Sequence, residues 1–139
     1  MSSISSRDDV FLGGVRVLVV DDSGPVRGLM TEILEQYGAA VTTVSSASEA
    51  LEILAHERPD VLVSDLEMPD KDGYWLIGQI RGLPPWRGGA TPAAALTGLT
   101  GPEERARILR AGFQYHIEKP VAPRKLAGIV AILAKAQSP

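Results

Sequence analysis

The chain has 139 residues, 45% of them hydrophobic and 22% charged, with a formal net charge of -3; this describes one soluble domain with a single core and no room for a second. Mild acidity gives no electrostatic reason to expect nucleic acid or an anionic membrane as a partner. The absence of cysteine, with only His56 and His116 as histidines, excludes disulfides, thiolate catalysis and the usual zinc sites.

In chain order, residues 1–14 are serine-rich, then acidic, and end in Gly13-Gly14, the composition of a flexible leader, which places the folded domain at 15–136. The leader has neither the basic start nor the apolar core of an export signal, and no apolar stretch reaches membrane-spanning length, so a cytoplasmic location is expected. Val15 to Val20 is almost continuously apolar and β-branched, the pattern of a strand covered on both faces, and it ends in Asp21-Asp22-Ser23. Pro25 opens a helix in which Val26, Leu29, Met30, Ile33, Leu34 and Tyr37 recur at helical spacing, and Gly38 stops it.

Val41 to Val44 is a short second strand. Ser46 and Glu49 have capping-box spacing ahead of a helix carrying Ala50, Leu51, Ile53 and Leu54, which Pro59 closes. The third strand, 61–65, delivers Asp65 to a turn marked by Pro69 and Gly73. Tyr74, Leu76, Ile77 and Ile80 support a third helix that ends near Gly82. Residues 82–92 form a proline- and glycine-rich connection in which Trp86 is read as a lid on the core. Strand four is Ala93 to Thr97. Pro102-Glu103-Glu104 starts a fourth helix, whose Arg105, Arg107 and Arg110 read as a solvated face, and Gly112 ends it. Gln114 to Glu118 is strand five, terminated by Lys119-Pro120, and Leu126, Ile129, Val130 and Leu133 line the last helix.

Five strands alternating with five helices imply an α/β fold: a single doubly wound parallel sheet with helices on both faces, since each parallel return needs a crossover. Strand order is not fixed by this pattern. Asp21, Asp22, Asp65, Thr97 and Lys119 all fall at or just beyond carboxyl ends of strands, the edge where doubly wound folds bind ligands. Three gathered carboxylates repel one another unless a cation intervenes, and the hard, oxygen-preferring ion that suits carboxylates, waters and a phosphoryl oxygen is Mg²⁺. Asp65 can then act as a nucleophile towards phosphorus, with the charge of the incoming phosphoryl group neutralised by the metal and by the Lys119 ammonium. Thr97 offers the transferred group a hydroxyl.

This constellation resembles the receiver domain of bacterial two-component response regulators over about residues 15–135. The residues that carry the resemblance are Asp21-Asp22 after an apolar strand, Asp65 followed by Met68-Pro69 and Gly73, Thr97 after Ala-Leu, and Lys119-Pro120 after a strand. The resemblance implies the flavodoxin-like strand order 2-1-3-4-5 and phosphoryl transfer from the histidine of a sensor kinase, or of a histidine phosphotransfer protein, to Asp65. It also implies Mg²⁺ held by Asp22, Asp65 and the Glu67 backbone carbonyl, with Asp21 helping through water, Lys119 bridging to the phosphate and Thr97 reporting its presence. The chain would assist its own phosphorylation and dephosphorylation rather than act as a metabolic enzyme. The loop containing Trp86 and the run Ala111 to Gln114 look like receivers fused to hybrid sensor kinases, while Met1 and the short leader favour a free-standing regulator.

The family usually places Tyr or Phe three residues before the lysine; His116 stands there, read as a partly exposed edge residue that could also switch. Gly98 leaves the phosphoryl site open, and Glu67 and Gly98 occupy positions that tune phosphate lifetime in the family. His56 sits at a helix end, where a cation suits the dipole, and Asp70-Lys71-Asp72-Gly73 lacks the first and last ligands of a calcium loop. A phosphorylation-controlled switch acting through helix four, strand five and helix five is expected. Its downstream effector is unspecified, and homodimerisation is open. Two other readings use the same residues: a receiver-like interaction module that is never phosphorylated, and an aspartyl-nucleophile phosphatase, which would place its aspartates at alternate positions after strand one.

Overall fold

A computed structural model describes residues 10–99 and 101–137. It contains β1 (Arg16–Val20), α1 (Gly24–Gln36), β2 (Ala40–Val44), α2 (Ala47–Glu57), β3 (Val61–Asp65), α3 (Gly73–Arg81), β4 (Ala93–Thr97), α4 (Pro102–Ala111), β5 (Tyr115–Glu118) and α5 (Pro123–Gln137). The five strands are all parallel, in the order β2-β1-β3-β4-β5, the doubly wound arrangement that the resemblance implies.

Alternation along the strands builds two cores. Val17, Val19, Val61, Val63, Leu96 and Ile117 face one way and pack against Met30, Ile33 and Leu34 of α1 and Leu126, Val130 and Leu133 of α5. Leu18, Val20 and Leu62 face the other way, against Leu54 of α2, Leu76, Ile77 and Ile80 of α3 and Ile108 of α4. Because β1, β3 and β4 are covered on both sides, their sequences are apolar without alternation, unlike the half-exposed edge strand β2.

Local signals account for the element ends. Ser23 caps α1 by accepting the Val26 N–H, and Ser46 caps α2 by accepting that of Glu49. The Glu49 carboxylate reaches back to the Ser45 N–H, one residue beyond the usual capping-box partner. Gly38, at φ +105°, takes the left-handed turn after α1.

Packing starts earlier than the composition of residues 10–14 suggests. Leu12 is fully buried in the α1/α5 core, and its N–H donates to the Tyr37 carbonyl at 2.8 Å. Gly13-Gly14 is therefore a tight turn rather than a loose hinge: Val15 N–H bonds back to Leu12 O, with Gly14 at φ +82°. Of the leader expected over residues 1–14, residues 1–9 lie outside the described residues. Trp86, in a 3-10 turn over Pro85–Arg87, is 73% exposed and covers no core; its backbone carbonyl, not its ring, is tied to the body, by the Arg58 guanidinium. Strand β5 begins at Tyr115, and Gln114 just before it bonds Ala93 twice, its backbone N–H donating to Ala93 O at 2.9 Å and its side chain accepting the Ala93 N–H at 2.8 Å. Among the described residues no helix is long and apolar enough to cross a membrane.

Candidate functional site

The carboxyl ends of β1, β3 and β5 converge on a small acidic hollow. Side-chain oxygens of Asp21, Asp22 and Asp65 lie within 4.8 Å of one another. Asp21 is completely buried, Asp65 is 3% exposed and Asp22 faces solvent. The chain needs no special strain to deliver them: β1 and β3 are neighbours in register, Val20 opposite Ser64, so the residues after them emerge side by side.

Lys119, immediately after β5, points its ammonium into the same hollow, 3.2 Å from Asp65 Oδ1 and 3.6 Å from Asp21 Oδ2. Its backbone N–H bonds to the Thr97 carbonyl at 2.9 Å, fixing it beside the end of β4. Asp65 Oδ1 also accepts the Glu67 N–H at 3.2 Å, whereas no hydrogen bond among the described residues ends on Oδ2. Burial, and then the neighbouring Asp21 carboxylate, raise the Asp65 carboxyl above its usual range, against the Glu67 N–H and Lys119, which lower it. Burial pulls the Lys119 ammonium down, but the carboxylates of Asp65 and Asp21 outweigh it and leave Lys119 above its ordinary value.

One buried polar atom here has no hydrogen bond. Asp21 Oδ1 accepts the Ser23 N–H at 2.9 Å, but Oδ2 has no hydrogen-bond partner; the Lys119 ammonium at 3.6 Å is an ion-pair distance, too long for a hydrogen bond. A fully buried carboxylate oxygen facing two more carboxylates and one ammonium lacks positive charge. A small divalent cation with oxygen preference fits that deficit.

Thr97 ends β4 at 4% exposure, and its hydroxyl accepts the Leu99 N–H at 2.9 Å. Gly98, next to Thr97, is exposed, and a methyl group added there would meet nothing within 4 Å. Glu67 is exposed and lines, with Met68, Thr97, Tyr74, Glu104 and Arg107, a cleft of about 450 Å³ between α3 and α4. His116 lies apart from the hollow, half-buried on β5 opposite Ala95, and takes part in no hydrogen bond or ion pair among the described residues. Asp72 is occupied as the cap of α3, accepting the Trp75 N–H at 2.8 Å, and the His56 ring bonds back to Glu52 O one turn earlier in α2.

Two features escape a reading of periodicity. Gly73 presses α3 against the phosphoacceptor candidate: a Cβ there would stand 2.4 Å from Asp65 O and 2.9 Å from Leu66 Cα. Tyr74, which helical spacing assigns to the core stripe, packs half-buried against that core and also donates its hydroxyl to Glu104 Oε2 at 2.6 Å, while Arg107 stacks over its ring at 4.0 Å. Arg107 is thus more than a solvated residue, and the acid and arginine three apart on α4 were the available signal.

A family profile described as the response regulator receiver domain matches residues 17–131. The chain belongs to that family. This receiver is 44% identical over 119 residues to a 14.6 kDa protein of Leptolyngbya boryana, covering 86% of the chain and 89% of the relative. It is 35% identical over 125 residues to the response regulator MprA of Mycobacterium tuberculosis, covering 90% of the chain and 53% of MprA, so it spans about half of that longer relative. Among solved structures, the receiver domain of the Francisella response regulator 1452 matches with a TM-score of 0.82 at 28% identity, over 90% of this chain and 100% of that one. The signal receiver domain of a histidine kinase from Syntrophus aciditrophicus matches with a TM-score of 0.81 at 32% identity, over 90% and 93% of the two chains.

Proposed function

We propose that this receiver is a phosphoacceptor switch of a two-component relay, in which Asp65 accepts a phosphoryl group from the phosphohistidine of a sensor kinase or histidine phosphotransfer protein. The observation that carries the reading is the Lys119 ammonium held between Asp65 Oδ1 and Asp21 Oδ2 at 3.2 and 3.6 Å, beside a nucleophilic oxygen, Oδ2, with its lone pairs free.

Asp21, Asp22 and Asp65, with the Glu67 backbone carbonyl, would hold Mg²⁺. When bound, the ion supplies charge neutralisation for an incoming phosphoryl group. The chain's own atoms do the rest. Lys119 and the Glu67 N–H fix Oδ1, which orients the Asp65 carboxylate. Oδ2 forms the bond to phosphorus as the phosphorus–nitrogen bond of the donor breaks, and the imidazole leaves with its electron pair and takes up a proton. Lys119 then neutralises an oxygen of the acyl phosphate, and Thr97 turns its hydroxyl from Leu99 towards another. Gly98 leaves room for donor and water, so loading and loss use the same opening. Added charge at this edge biases the arrangement of β4, α4 and β5, the surface offered to an effector. A location in the cytoplasm, with the kinase, belongs to the same proposal. Assisting one's own modification in this way is not metabolic turnover, and the adjacency of Asp21 and Asp22, with the nucleophile on β3, disfavours the phosphatase alternative.

The test is intact mass after incubation with Mg²⁺ and acetyl phosphate, for the wild type and Asp65→Asn. One labile phosphoryl adduct in the wild type and none in the variant is expected. No adduct from any small donor or phosphohistidine protein would leave an inert interaction module, and continuous turnover of phosphomonoesters would indicate the phosphatase.

A further inference from the structure

Helix α4 is held to the body of the protein by little. Ile108 is its only fully buried residue, its N-cap is Gly101 with no side-chain hydrogen bond, and added methyl groups at Gly98 and Gly101 would meet nothing. The start of α3 is the opposite case. Gly73 sits in unyielding backbone contact with Asp65 and Leu66, and its N–H bonds to Leu66 O at 3.0 Å. Tyr74, one residue along, is the link between the two: its hydroxyl binds Glu104, its ring carries Arg107, and all three line the cleft whose wall includes Thr97 and Glu67.

We propose that Tyr74 is a positioning residue, whose clasp with Glu104 and Arg107 ties α4 to the Asp65 loop in the unphosphorylated arrangement and opposes phosphoryl loading. This rests on the phosphoacceptor reading of Asp65. The geometric reason lies at Thr97. Its hydroxyl is turned to the Leu99 N–H, on the path into α4, so bonding a phosphoryl group on Asp65 draws the Thr97–Leu99 turn inward. The helix that follows must yield with it. A clasp made in one arrangement and lost in the other shifts their balance by its own free energy. A hydrogen bond to a carboxylate at a half-exposed site changes that balance by about fivefold.

The experiment measures loading from acetyl phosphate in Mg²⁺ and loss after donor removal, by intact mass, for the wild type, Tyr74→Phe, Glu104→Ala and the double variant. Tyr74→Phe keeps the ring under Arg107 and deletes the hydroxyl alone. Each single variant is expected to raise the ratio of loading to loss rate constants about fivefold, and the double variant no further, because both delete one bond. Glu104→Gln, which retains an acceptor oxygen, is expected to restore the wild-type ratio. A purely structural role would lower the unfolding midpoint without moving the ratio, and that result, or multiplicative effects in the double variant, overturns the proposal. Failure of the wild type to load at all sinks the phosphoacceptor reading and this one with it. Loading indifferent to Tyr74 sinks this one alone.

Discussion

Replacing Asp21 by Asn is expected to stabilise the metal-free protein while weakening its response to Mg²⁺. The magnitude follows from the hollow. At 4.8 Å, the bound on separation among the three carboxylates, two unit charges repel by about 3.5 kcal/mol at an effective dielectric constant near 20. The Lys119 ammonium, 3.6 Å from Asp21 Oδ2, attracts by about 4.6 kcal/mol on the same scale. Its side chain is 34% exposed, however, and water weakens that attraction. Exposed Asp22 adds a further, screened repulsion. These charge terms nearly cancel, so the orphaned Oδ2 decides the sign: a buried acceptor without a partner costs about 1–3 kcal/mol. The amide of Asn keeps an oxygen for the Ser23 N–H and turns the unpaired acceptor into a donor among carboxylates. We therefore expect urea unfolding in chelator to show Asp21→Asn more stable than wild type by about 1–2 kcal/mol. In Mg²⁺ at about a hundredfold its Kd the wild type should gain about 2.7 kcal/mol, and the variant clearly less. A variant that is less stable than wild type in chelator, or that gains equally from Mg²⁺, would refute this account.

Arg81 donates to the carbonyls of Gly89, Thr91 and Gly112 and to the Gln114 side chain, joining the end of α3 to the loop before β4 and the turn before β5. Arg81→Leu should lose about 2–4 kcal/mol in guanidinium unfolding, and Arg81→Lys should recover little, since an ammonium cannot fork across separated carbonyls. Burial, and then the bond to Glu104, push the Tyr74 phenol up to about 12. An alkaline absorbance titration should show one of the three tyrosines ionising late, a step that Tyr74→Phe removes. Because this folded value lies above the unfolded value near 10, the stabilisation from Tyr74 is whole below about pH 10 and fades as pH climbs towards 12.

The alternation of β-branched runs with helical stripes made the architecture legible, because strands covered on both faces have little choice of composition. Asp21, Asp22, Asp65, Thr97 and Lys119 were legible for a related reason: each stands at or just after the carboxyl end of a strand, so a correct strand list carries its position with it. What periodicity could not show was side-chain direction at element ends. Tyr74 fits the apolar stripe of α3 and packs there, yet in the first turn of a helix its hydroxyl also reaches a polar partner on α4 that spacing alone does not announce. Leu12 was hidden by the two glycines after it, which read as slack although they form a turn. Trp86 suggested a lid because large aromatic rings usually find cover, but the loop is anchored through the Trp86 carbonyl to Arg58 while the ring stays in solvent. Arg81 stands in the last turn of α3, and nothing local announces that its acceptors come from two separate segments.

On the phosphoacceptor function proposed above, the charge balance of the hollow also dictates an order of arrival. Three aspartates against one lysine present an approaching phosphate ester or phosphoramidate with a surplus of like sign, so an anionic donor that comes first is turned away. A cation that comes first removes the surplus. Ambient divalent ion concentration would then act as a gatekeeper for the proposed phosphoryl loading at this edge of the sheet, upstream of any choice among kinases.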